Sequence, residues 1–102
     1  MKSNHNSFLR DALRTKLDGN RQGARRLPDA TQRALEHSLG ADLSGMRVHE
    51  DAALTGALRA EAFAVGADLF FAPGAYQPDT DAGLRLLAHE AAHAIQQRNG
   101  RV

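Results

Sequence analysis

The sequence predicts a small α+β domain, with helices arranged around a short β-hairpin or small sheet, and three observations carry that prediction. Apolar residues recur at helical spacing in separate segments, the longest of them near the C-terminal end. Two short runs, Ala62 to Val65 and Leu69 to Ala72, flank Gly66-Ala67-Asp68 as two strands flank a hairpin turn. A length of 102 residues suits one modest core that buries roughly 60 to 65% of the unfolded surface.

The elements follow in order. Phe8, Leu9, Ala12, Leu13 and Leu17 fall near helical spacing before Asp18-Gly19-Asn20 breaks the pattern, so a short helix is expected there. Pro28 and Asp29 suit the first turn of a second helix, running from about 28 to 39 with Ala34, Leu35 and Leu39 inward and Gly40 as its stop. Met46-Arg47-Val48-His49 alternates, which predicts a strand with Met46 and Val48 on the core and His49 on the other face. Asp51 can cap a helix reaching about Glu61, with Leu54, Ala57 and Leu58 along one side. The hairpin then brings Phe70 and Phe71, one expected in the core and the other partly covered, and an exposed strand edge there can accept an extended peptide. Residues 72 to 80 read as loop from their Pro and Gly. The last helix is expected from about Thr80 to Gly100, capped by Thr80 or Asp81.

Charge divides the chain. Residues 1 to 26 hold seven Lys or Arg against two Asp, whereas residues 27 to 102 hold six Arg against ten Asp or Glu. The expected organisation is a basic N-terminal arm, 1–26, partly helical or disordered, followed by a core domain, 27–102. Phe8 is the arm's one aromatic residue, so the stacking platforms of a nucleic-acid binder are missing and no nucleic acid is expected as a partner. No run has the length or apolarity of a membrane span or a secretory leader, which predicts a soluble protein, cytoplasmic at synthesis and with no membrane partner. Export through a dedicated machine that needs no leader stays compatible with this. Without cysteine, any metal must be held by His, carboxylate and water.

The chemistry concentrates in His89-Glu90-Ala91-Ala92-His93. Residues four apart share one helix face, so both imidazoles can ligate one ion while Glu90 beside them acts as general base. Phasing at about 100° per residue puts Leu84, Leu87, Ala91, Ala94 and Ile95 on one stripe and His89, His93 and Gln96 opposite. The histidines are thus expected off the main packing face. Zinc, one ion, is the expected cofactor, and a hydrolytic site usually takes three protein ligands. None of the nine residues after His93 is His, Asp or Glu. The third ligand is therefore expected upstream, with His49 first and Glu61, Asp51 and Asp68 as alternatives; His5 and His37 are less suited. Tyr76 could donate to a developing oxyanion or simply pack its ring, and Gln96 and Gln97 could orient a ligand or only solvate the helix end.

Several segments together resemble a known family: Leu27-Pro28, Leu39-Gly40-Ala41-Asp42-Leu43-Ser44, Met46-Arg47-Val48-His49, Ala62 to Phe71, Gly74-Ala75-Tyr76 and Leu87 to Gln97. They look like the core domain of extracellular contractile injection systems (eCIS), a family of unknown function that is itself similar to zinc metallopeptidases with two His around a Glu. The resemblance spans about residues 27 to 97. It implies a zincin-like domain, a setting beside toxins or effectors of phage-tail-like injection particles, and a functional placement of His49. Two functions are expected to compete. One is a zinc-dependent peptidase with Glu90 as base, acting on a peptide or protein, its own chain or a cargo effector. The other is a non-catalytic zinc-binding module that docks or loads an injected toxin or effector. A closed, structural zinc site is a third.

Overall fold

Local backbone chemistry sets the ends of every element. The computed structural model describes residues 24–100, so the expected helix at 7–17 and most of the basic arm lie outside the described residues. Helix α1, Asp29–Leu39, starts behind Pro28, whose missing N–H is one the first turn cannot use anyway, and Asp29 places an acid in that turn. Strand β1 is Arg47–Glu50. Asp51 caps α2, Ala52–Leu58, by accepting the Leu54 N–H at 2.9 Å. Strands β2, Ala62–Val65, and β3, Asp68–Phe71, form the hairpin. Its two-residue turn needs a positive φ at the first position, and Gly66 supplies φ 60°. Helix α3, Asp81–Arg98, opens on Thr80, whose hydroxyl accepts the Gly83 N–H at 3.0 Å.

These make a small α+β domain of three helices and a three-stranded sheet in the order β1-β3-β2. Beyond the hairpin, β1 pairs parallel to β3, with Val48 opposite Leu69 and His49 opposite Phe70. The antiparallel pairing of β2 puts Ala64 opposite Leu69 and Phe63 opposite Phe70. Alternation then gives the sheet two faces. Val48, Leu69 and Phe71 share one, and α3 seats Leu87, Ala91 and Ala94 upon it in a single cluster with Leu27, Leu35, Leu43 and Met46. His49, Phe70 and Phe63 share the other.

Four expectations change. The helix after Asp51 ends at Leu58 rather than near Glu61, because Arg59 turns left-handed at φ 54°. On it, Ala57 and Leu58 are exposed, and the buried pair is Leu54 with Thr55. Ala34 is exposed, leaving Leu35 as the buried anchor of α1. Phe70 and Phe71 are both fully buried, since each face of β3 is covered.

The end of the basic segment is tied down. Arg25 and Val48 exchange two backbone hydrogen bonds, 2.9 and 2.7 Å, which closes the outer edge of β1. The Arg25 guanidinium meets Glu50 at 3.2 Å and lies 5.0 Å over the Tyr76 ring. No helix among the described residues is long and apolar enough to cross a membrane.

Gly83 is the tightest point of the packing. A Cβ there would collide with the Gln77 carbonyl, so the loop can close over the first turns of α3 only at a glycine. Gly83→Ala is expected to cost about 1–3 kcal/mol, read as a lowered midpoint in chemical denaturation. Gly56→Ala, on exposed α2 with nothing within 4 Å, is expected to be neutral or stabilising by up to about 1 kcal/mol. Equal losses at both positions would contradict the tight loop.

Candidate functional site

Helix α3 decides where the chemistry-bearing side chains go. With Leu87, Ala91 and Ala94 turned to the sheet, His89 and His93 emerge exposed, as expected from their phase. Their rings lie side by side, centroids 4.4 Å apart. Gln96 is exposed on the same side. Glu90 is different. It sits about 60° around the helix from the centre of the buried stripe, so its side chain is only 6% exposed. No hydrogen bond or ion pair to Glu90 forms among the described residues. No buried side-chain oxygen lacks a partner among the described residues, so the Glu90 carboxylate oxygens keep contact with solvent although the residue as a whole is nearly covered.

Gln97 lies on the same flank of α3 as Glu90. Its side-chain amide accepts the Gly66 N–H at 2.7 Å and donates to the Ala64 carbonyl at 3.0 Å. Sequence reasoning assigned it only solvation or support of a ligand. The missed signal is its phase, since 86, 90, 93 and 97 follow one another down one side of a helix.

The other proposed ligands go elsewhere. His49 is buried, 3% exposed, on the sheet face turned away from α3. There its Nε2 meets Asp68 Oδ1 at 2.7 Å, and its ring stacks on Phe70 at 4.5 Å, which in turn stacks on Phe63 at 5.0 Å. Both His49 and Asp68 are thereby engaged with each other. Asp51 serves as the α2 cap. Glu61 is exposed beside the start of β2, and His37 is exposed in the last turn of α1. His5 lies outside the described residues. Among the described residues, no three His, Asp or Glu side chains gather as metal ligands. The structure thus brings together His89, His93 and Glu90, and does not bring His49 to them.

Tyr76 packs its ring against Phe71, centroids 5.3 Å apart, and beneath Arg25. Burial pushes its phenol above the usual 10.0, and the Arg25 charge opposes that only in part.

Two expectations follow from these environments. Tyr76 is the only tyrosine, so its ultraviolet titration is unambiguous: the folded midpoint should lie above that of the unfolded chain. Because the folded pKa is the higher, stability is retained below the unfolded value of about 10 and falls as pH rises past it. A folded midpoint at or below the unfolded one would contradict this. Separately, Asp68→Ala should leave the buried imidazole unpaired and cost about 1–3 kcal/mol, read as a lowered midpoint in chemical denaturation; an unchanged midpoint would contradict the pairing.

No match was found among curated proteins or among solved structures. The family model described as the eCIS core domain matches residues 26–101, a span that takes in every described element from α1 to α3. By that match the chain belongs to the eCIS core domain family, which associates it with contractile injection systems.

Proposed function

We propose that this eCIS core domain is a zinc-dependent, metallopeptidase-like module serving a contractile injection system. The observation that carries the reading is Glu90: a mostly covered residue whose carboxylate oxygens have no protein partner among the described residues and reach solvent, on one helix between a packed face and two adjacent imidazoles. The donor set fits in part. His89 and His93 are one turn apart with neighbouring rings, as two ligands of a shared ion must be; a third ligand has to come from outside the described residues. Zinc bound there would supply Lewis acidity and make a bound water acidic near neutral pH. The part of Glu90 is proton transfer, taking a proton from water and delivering it to the leaving amine of a peptide bond. Family membership supports a protein substrate or cargo travelling with the particle.

The family's association with injection particles equally supports a second reading, in which the domain binds metal and docks or loads a toxin or effector without cleaving it. The two separate by experiment. Zinc is measured by mass spectrometry on purified wild type, Glu90→Gln and the double variant His89→Ala with His93→Ala, and candidate cargo is incubated with each. The hydrolytic reading expects about one zinc per chain in the first two proteins, none in the third, and cleavage lowered by on the order of a hundredfold or more in Glu90→Gln. Zinc retained with no cleavage by wild type supports docking. Wild-type protein that takes up no zinc would falsify both.

A further inference from the structure

The free edge of β2 and the cavity at its start form one surface. In the hairpin, the Ala72 N–H donates to the Glu61 carbonyl at 2.8 Å, so antiparallel alternation turns the backbone groups of Ala62 and Ala64 away from β3. Sheet order makes β2 an outer strand. Gln97 already lays a side-chain amide on this edge, bonded to Ala64 and Gly66 as a neighbouring peptide group would be. It therefore closes one end of the edge and shows what chemistry the edge accepts. At the other end opens a cavity of about 330 Å³, lined by Glu61, Gly74, Gln77, Gly83 and Leu86 among others. Along α3, Leu86, Glu90, His93 and Gln97 occupy one flank between these ends. The length agrees, since the eleven helical rises from Leu86 to Gln97 and the five strand rises from Glu61 to Gly66 both span about 16 Å.

We infer that this edge binds an extended peptide antiparallel or parallel to β2, and that the cavity receives one of its side chains, a lysine or arginine. Charge selects that class. Glu61 is the one ionised group of the lining, it is exposed, and it makes no ion pair among the described residues. The hydroxyl-free, partly apolar remainder, Leu86 and the two glycines, suits the methylene stem of a long cation. Gln97 takes the Ala64 carbonyl and the Gly66 N–H, so it limits the paired stretch to the outward groups of Ala62 and the Ala64 N–H, and the chain is held there and no further. This rests on the peptide-processing reading of the site and names the substrate feature it would select.

The test uses the full chain with capped, labelled nine-residue peptides that differ only at the central position: arginine, norleucine or glutamate. Binding is measured by fluorescence anisotropy in chelator, and cleavage separately with zinc. The arginine peptide should bind tighter than the glutamate peptide by on the order of tenfold; Glu61→Gln should remove most of the difference, and Glu61→Lys should reverse it. Ala64→Pro, which deletes an outward N–H, should weaken all three peptides alike. Equal binding of the three peptides, or a preference untouched in Glu61→Gln, overturns the inference. Charge-selective binding without cleavage supports this inference and sinks the hydrolytic reading, whereas cleavage blind to charge overturns the inference and leaves hydrolysis standing.

Discussion

The seating of α3 on the sheet is the contact on which everything else depends. Leu87, Ala91 and Ala94 meet Val48, Leu69 and Phe71, and all six are buried. Two of the three helix residues are alanines, so the helix backbone can come close to the strands with little side chain between them. A helix held this near has one rotation that fits. That rotation puts His89 and His93 in solvent, Glu90 at the buried margin and Gln97 within reach of β2, without any polar contact having to choose those places. Gly83 performs the same service at the start of the helix, where the 77–80 turn lies directly against it.

The two buried ionisable groups of the candidate set are treated in opposite ways. His49 is covered by Phe70 and held by Asp68, so its polar nitrogen is satisfied inside the fold. Such a pair stabilises and specifies, and it needs no ligand. Glu90 is nearly as covered as a residue but has no such partner among the described residues, and its carboxylate oxygens reach solvent instead. The difference cannot come from lack of donors in the chain as a whole, since Arg47 spends its guanidinium on the carbonyls of Ser44 and Met46, and Arg98 on that of Asp42. Cations are used to fasten loops while the carboxylate beside the histidines is left open.

Edges are handled with the same economy. The outer edge of β1 is closed by the backbone of Arg25, further fixed through Glu50 and Tyr76. On the opposite side Gln97 alone, among the described residues, hydrogen-bonds to the outward edge of β2, covering part of it with one side chain. A sheet of three short strands with one edge bridged and the other partly covered is protected from indiscriminate pairing. The open half is also the half beside Glu90.

Local signals fixed much of this in advance. Helix α3, its Thr80 cap, the hairpin around Gly66, the inward Met46 and Val48 and the outward His89 and His93 follow from periodicity and capping, which act over a few residues. The early stop of α2 escaped notice because a left-handed Arg59 carries no sequence mark of the kind that glycine does. Tertiary structure alone decided the rest. The parallel pairing of β1 with β3 joins residues about twenty positions apart, and it alone sends His49 to Asp68 instead of to the helix. The burial of Glu90 and the reach of Gln97 to Ala64 likewise depend on how closely a whole helix sits on a whole sheet, a quantity to which no short stretch of sequence is sensitive. The sequence by itself determined which residues could do chemistry; packing at a distance determined which of them stand together.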